Sequence, residues 1–177
     1  EGSLSLEALA RASVTVSDNT AANLLLTTIG GPAALTQYAR SLGDVTTRLD
    51  RNEPTLNDNA PGDERDTTTP RAMASLLNRI LCGNALPAEH RERLLGWMRA
   101  SKTGHERLRA GLPAAWSVGD KTGTGNHGAV NDVAIALPPG RAPLLFAVYL
   151  SDSASELDAL EAAHADVGRV VTADLGA

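Results

Sequence analysis

The sequence predicts an α+β fold, in which several helices are followed by three antiparallel strands and a closing helix. Apolar residues recur at helical spacing before Pro113, and the pattern becomes strand-like after it. The segments between the candidate strands are too short for crossovers, which indicates an antiparallel meander. We therefore expect a helical subdomain over 1–112, and a second subdomain over 113–177 that holds the sheet and the last helix.

The first half contains three well-delimited candidate helices. Ser5 is suited to cap the first of them, because its hydroxyl can accept from a free backbone N–H at the helix start. The second helix covers 21–29 and is ended by Gly30. Pro32 fits the first turn of the third, which ends near Gly43.

The helical pattern disappears over 44–69, and this polar stretch is too long for a simple connector. Pro70 opens a further helix that ends at Cys82, and another follows over 88–100. Cys82 is the only cysteine, so no intrachain disulfide can form. Its apolar neighbours lead us to expect a buried structural thiol.

The second half predicts strands at 116–122, 129–137 and 144–151, with a turn at 138–140. An amphipathic helix over about 155–171 is long enough to cover one face of this sheet.

Composition excludes several function classes. The formal net charge is −5 and the charges are interspersed, which argues against a nucleic-acid partner. No apolar run is long enough to span a bilayer, and we expect no signal peptide in these residues. We expect no cofactor and no metal, because the histidines are scattered without ligand spacing and are interpreted as surface residues. They are His90, His105, His127 and His164.

Three short segments carry candidate chemistry, and each has a plain structural alternative. Ser17, Asp18 and Asn19 form either a helix cap or a hydroxyl and amide presented to a substrate. The segment 121–125 is either a twisted strand ending in a glycine turn or a strand edge that binds a carboxylate or oxyanion. Its residues are Lys121, Thr122, Gly123, Thr124 and Gly125, and this order does not fit a phosphate loop.

The third segment lies inside the long polar stretch and contains Glu53 and Asn57. A solvated loop carboxylate is one interpretation. The other is an Ω-loop over about 48–66, closed at its neck by an ion pair between Arg51 and Asp66. A carboxylate fixed in this way beside an amide can position a hydrolytic water.

In this order the three segments resemble the signature set of class A serine β-lactamases, which includes S-D-N and K-T-G. The resemblance extends over essentially the whole chain, including 17–32, 48–70 and 112–125. It implies a β-lactamase/transpeptidase-like fold and hydrolysis of β-lactam antibiotics through an acyl-enzyme. It also implies an exported, periplasmic or secreted enzyme that is monomeric when complete.

The resemblance assigns a role to each residue. Ser17 would pass a proton towards the lactam nitrogen, and Asn19 would hold the substrate's side-chain amide. Glu53 and Asn57 would hold the water that releases the product. The substrate carboxylate would be bound by Lys121 and Thr122, and Gly123 and Thr124 would line the same strand edge, with the Thr124 N–H as an oxyanion donor.

Two departures from the family matter. Many members carry an arginine where this chain has Val130, and Arg107 stands where another branch places a substitute guanidinium; a surface arginine is the alternative. The chain also lacks a Ser-x-x-Lys motif, since the residues three before its two lysines, Lys102 and Lys121, are Arg99 and Val118.

The resemblance therefore implies the C-terminal two-thirds of such an enzyme, without the N-terminal strands and the nucleophile helix. We expect the N-terminal segment that carries Ser-x-x-Lys to be supplied as a partner, and the isolated fragment to be inactive and poorly stable. A penicillin-binding transpeptidase relative, or a truncated or complementation fragment without activity, is the alternative. Glu53 and Asn57 favour the hydrolase, because transpeptidases lack an efficient means of releasing the acyl group.

Overall fold

The computed structural model describes residues 3–176. Its elements, in chain order, are the helices α1 (Leu6–Val16), α2 (Asn19–Ile29), α3 (Pro32–Ser41), α4 (Pro70–Leu77), α5 (Ala88–Arg99) and α6 (Leu108–Gly111), the strands β1 (Ser117–Thr124), β2 (Val130–Leu137) and β3 (Leu144–Leu150), and the helix α7 (Leu157–Asp174). A single 3₁₀ turn occupies Thr55–Asn57, and a π-helical turn, Asn78–Cys82, continues α4. The predicted α+β fold is confirmed.

The first helices begin and end where their capping residues predict. The Ser5 hydroxyl accepts a hydrogen bond from the Ala8 N–H at 3.1 Å, and Gly30 ends α2 in the left-handed region with φ 102°. Between α1 and α2, Ser17 also takes a left-handed φ of 57°, and the Asp18 carboxylate accepts from the Ala21 N–H at 2.9 Å. This tight junction presents the Ser17 side chain at the end of α1.

The sheet has the order β1-β2-β3 with antiparallel pairing throughout. Lys121 pairs with Val133 and Thr122 pairs with Asp132, so alternate residues of β1 face opposite sides. β1 continues to Thr124, two residues beyond the predicted strand, because the ladder to β2 closes at Val130.

Two apolar clusters cover the two faces of the sheet. On one side α6 and α7 cover a cluster of seven buried residues: Leu108, Leu112, Trp116, Val118, Ala134, Ala136 and Phe146. On the other side α4 and α5 pack on Ile135 through Leu77, Leu81, Leu95 and Met98. The sheet is thus the central layer, and Lys121 lies on the α4–α5 side of it.

Two burial predictions are wrong. Cys82 is exposed, because Leu77 and Leu81 take the buried face of the helix and the next residue points away. His164 is fully buried rather than on the surface, since it lies on the stripe of α7 that also buries Leu160 and Gly168. Its ring nitrogens lie 2.9 Å from the Leu160 carbonyl oxygen and 3.3 Å from that of Val148. The other three histidines are exposed.

Among residues 3–176 no helix is long and apolar enough to cross a membrane.

Candidate active site

Ser17 and Lys121 are 104 residues apart in sequence and adjacent in space. The Lys121 ammonium donates to the Ser17 hydroxyl at 2.7 Å and to the Thr122 carbonyl at 2.6 Å. Burial lowers the pKa of Lys121 from its ordinary value, and the nearby Glu53 carboxylate opposes this shift. A cation beside a hydroxyl stabilises the alkoxide form and can deliver a proton through it.

Asn19 is the first residue of α2 and is exposed. It follows Ser17 by two residues in the sequence. The helix-cap interpretation applies to its neighbour Asp18, whose carboxylate is the capping group. The Asp18 cap leaves the Asn19 amide free of any capping duty.

Glu53 is held at both its backbone and its carboxylate. The Asn57 amide donates to the Glu53 carboxylate at 2.5 Å. The Asn23 amide, on α2, donates to the Glu53 carbonyl at 2.9 Å and accepts from the Glu53 N–H at 3.0 Å. The sequence does not predict a role for Asn23, because nothing near it in the sequence indicates a contact with Glu53, which is 30 residues away. The carboxylate is fixed in place, unlike that of a freely solvated loop residue.

An ion pair joins the two ends of the 48–66 loop. The Asp66 carboxylate accepts from the Arg51 guanidinium at 2.5 Å and from the backbone N–H groups of Arg51 at 2.9 Å and Asp50 at 2.7 Å. The Asp66 side chain is 3% exposed and the Arg51 side chain 15% exposed, so this pair is largely shielded from water. The loop ends are thereby fixed side by side.

The same loop lies against the turn that follows β1. The Asn126 N–H donates to the Asn57 carbonyl at 2.8 Å. Gly125 approaches so closely that a Cβ there would lie 2.8 Å from the Asn57 carbonyl oxygen. This contact brings the Glu53–Asn57 pair to the end of the strand that carries Lys121.

Arg107 is 4% exposed, so a surface arginine is wrong. Its guanidinium donates to the Gly123 carbonyl at 3.0 Å, the Asn131 carbonyl at 2.7 Å, the Thr124 hydroxyl at 2.7 Å and the Glu161 carboxylate at 3.2 Å. Because a guanidinium can only donate, the Thr124 hydroxyl must accept from it, and the hydroxyl proton is free to point outward. Val130 pairs directly with Thr124 in the sheet.

Two fully buried carboxyl groups lie on the face of the sheet opposite Lys121. Asp120 accepts from the Ser101 hydroxyl at 3.1 Å and from the Arg109 guanidinium. Asp132 accepts from the Leu108 N–H at 3.2 Å, and its second oxygen has no partner among the described residues. Burial, with the Asp120 charge, raises the pKa of Asp132 to about 8. Neither carboxyl group was singled out from the sequence.

No group of three or more His, Cys, Asp or Glu side chains within 3–176 could hold a metal ion. The prediction that no metal is used stays a prediction.

The comparison with protein families decides the assignment. The model of the β-lactamase enzyme family matches residues 1–175 of this chain. The chain belongs to that family. β-Lactamase AST-1 of Nocardia asteroides is 49% identical over 176 residues, and β-lactamase OXY-1 of Klebsiella oxytoca is 43% identical over 175. Each alignment covers 99% of this chain, and they cover 57% and 60% of the two relatives, so this β-lactamase chain spans under two thirds of their length.

Solved structures agree on the class and the fold of this β-lactamase chain. The class A β-lactamase of the last common ancestor of Gram-negative bacteria (GNCA4) superposes with a TM-score of 0.96 at 57% identity. That superposition covers 97% of this chain and 66% of the ancestral one. The chain is a C-terminal part of a class A serine β-lactamase.

Proposed function

We propose that this chain supplies the substrate-binding and deacylation residues of a β-lactam hydrolase. Its nucleophile comes from a segment with a Ser-x-x-Lys motif, and we call this chain together with that segment the complete enzyme. The observation that carries the proposal is the position of Glu53 on a closed loop beside the Lys121–Ser17 pair, where Asn57 binds its carboxylate and Asn23 binds its backbone.

In acylation, the nucleophilic serine gives its proton to the lysine of its Ser-x-x-Lys motif or to Glu53, its oxygen attacks the lactam carbonyl, and the C–N bond breaks. The departing nitrogen needs a proton, and Ser17 can deliver one because the Lys121 ammonium donates to its hydroxyl. The Thr124 N–H would serve as one oxyanion donor at the strand edge. Asn19, exposed at the start of α2, would hold the side-chain amide of the substrate.

The substrate carboxylate would lie against the end of β1. Lys121 supplies positive charge there, while Thr122 and Thr124 supply hydroxyl donors next to Gly123. Arg107 is already engaged with four acceptors, so its main contribution is to orient the Thr124 hydroxyl and to add charge behind it.

In deacylation, a water lies between Glu53 and the acyl ester. Glu53 takes one proton from the water while the water oxygen attacks the ester carbonyl. The ester C–O bond then breaks, and Glu53 returns that proton to the serine oxygen. The Asn57 amide fixes the acceptor oxygen of Glu53 and offers a second polar contact for that water.

A chromogenic cephalosporin assay tests this proposal, with the chain alone and with the complete enzyme. We expect turnover only from the complete enzyme. Turnover by the chain alone would contradict the assigned source of the nucleophile, and acylation without turnover would favour a transpeptidase relative.

Glu53→Gln in the complete enzyme isolates the deacylation step. Loss of a general base slows such a step by about 10²- to 10⁴-fold, so acyl-enzyme should accumulate in an intact-mass experiment. Glu64→Gln, an exposed change on the same loop, is the matched control and should turn over normally. Fast turnover by Glu53→Gln would overturn the role of Glu53.

The remaining expectations stay part of this proposal. They are a helical subdomain over 1–112, a second subdomain over 113–177, a monomeric complete enzyme, and export to the periplasm or beyond, where β-lactams act on cell-wall synthesis. Which β-lactams it prefers would depend on side chains around the exposed Thr124.

A further inference from the structure

A row of hydroxyl groups leads from the strand edge into the protein interior. The Thr122 hydroxyl donates to the Thr103 hydroxyl at 2.7 Å. Thr103 in turn lies 3.5 Å from the Ser101 hydroxyl, which donates to the buried Asp120 carboxylate at 3.1 Å. Ser101 and Thr103 belong to the connection between α5 and α6, so this row joins that connection to β1.

The inner end of the row has a fixed direction. A carboxylate can only accept, so the single proton of Ser101 is committed to Asp120. The Arg109 guanidinium also donates to Asp120. Ser101 therefore cannot donate to Thr103.

The outer end is free to reverse. Thr103 has one proton, which can go to Ser101 across a long 3.5 Å contact or to Thr122 across 2.7 Å. If Thr103 donates to Thr122, the Thr122 proton is released and can point towards an anion. Neighbouring hydrogen bonds that run in one direction strengthen each other.

We infer that Thr103 is a positioning residue for the substrate carboxylate: on binding, it reverses its hydrogen bond with Thr122, so that Thr122 donates to the carboxylate. Ser101 and Asp120 hold the inner end of the row in place. No covalent bond changes in this step; two hydroxyl protons rotate. The inference rests on the proposed function, because it assumes that a β-lactam carboxylate lies beside Thr122.

The test compares two substrates of the complete enzyme: a chromogenic cephalosporin with its free carboxylate, and the methyl ester of that carboxylate. Thr103→Val deletes the hydroxyl at nearly constant shape. The Thr103–Thr122 bond is present before and after the reversal, so only its strengthening by the bound anion is lost, and KM for the free acid should rise roughly 1.3- to 5-fold with kcat little changed. The ester has no carboxylate anion to accept a hydrogen bond from Thr122, so its KM should stay the same.

Controls separate positioning from a general structural effect. Thr103→Ser restores the hydroxyl and should restore the KM of the free acid. Thr172→Val removes a hydroxyl bond to the Gly168 carbonyl within α7, outside the site, and should leave both substrates unaffected. If Thr103→Val does not fold, Thr103→Ala provides the same comparison with a smaller side chain.

The outcomes are distinct. Equal losses for acid and ester in the Thr103 variants, or no loss for either, would overturn the inference while leaving the proposed function intact. Absence of turnover by the unmodified complete enzyme would instead overturn the proposed function, and the inference with it.

Discussion

The closed neck of the 48–66 loop gives a quantitative prediction for Asp66→Asn. Asp66 accepts three N–H groups, and an asparagine oxygen can still accept the two backbone donors. Its NH₂ group would then face the Arg51 Nε–H, donor against donor. The loss is one charge-assisted hydrogen bond in a shielded place, about 1.5–3 kcal/mol. Asp58 and Asp63, at 3.5 and 3.6 Å from Arg51, offset a part of this, so we expect about 2 kcal/mol.

Urea unfolding of the complete enzyme measures this difference in the free energy of unfolding. Asp58→Asn is the matched control, because it removes a carboxylate from the same arginine at a half-exposed position. Exposed pairs are worth under about 1 kcal/mol, so this variant should change little. Equal losses in the two variants would refute the idea that the buried Asp66 contacts close the loop. Faster proteolysis within 48–66 should accompany the loss in Asp66→Asn alone.

Three further predictions concern charge at the strand. Arg107→Ala should raise KM for carboxylate-bearing β-lactams about tenfold or more, since charged hydrogen bonds are worth roughly 1.5–3 kcal/mol. Arg65→Ala, at an exposed position, is its control, and unchanged kinetics in Arg107→Ala would contradict the role of Arg107. Because burial lowers the pKa of Lys121, kcat/KM for such substrates should decline as the pH rises, at a pH below the ordinary lysine pKa of 10.5. Lys121→Arg should move this decline to higher pH, and an unchanged decline would contradict its assignment to Lys121. Asp132 keeps its proton up to about pH 8 when folded but only to about 3.8 when unfolded, so stability falls as pH rises between these values. Asp132→Asn, always neutral, should therefore gain more in Tm over the unmodified enzyme at pH 8 than at pH 5, and equal gains would contradict this.

Local signals predicted most of the secondary structure. Helix ends can be predicted from capping residues that act within one helical turn, here Ser5, Gly30 and Pro32. The meander follows from period-two patterning and short turns in the same way. The sequence predicts the end of β1 at residue 122, because Gly123 and Thr124 are typical of a turn, whereas pairing with Asn131 and Val130 extends the strand.

Residues that depend on distant partners could not be found in this way. Asn23 and Thr103 gain their significance from Glu53 and Thr122, which are 30 and 19 residues away. The wrong burial predictions for Cys82 and His164 have a related cause. A helical residue is buried when it lies on the side of the helix that packs against the rest of the protein. One apolar neighbour or one polar ring does not indicate which side that is.

The close contact between α6 and α7 limits which substitutions this protein can accept. A methyl group on Gly111 would lie 1.8 Å from the Ala165 carbonyl oxygen, and one on Gly168 would lie 2.9 Å from that of Leu108. No single codon change at either position can add a side chain without separating the two helices. Since Arg107 precedes α6 and Glu161 lies on α7, such a change would also pull that ion pair apart. Substitutions are therefore better tolerated at open positions such as the exposed Thr124, while the spacing of these two helices is inherited unchanged.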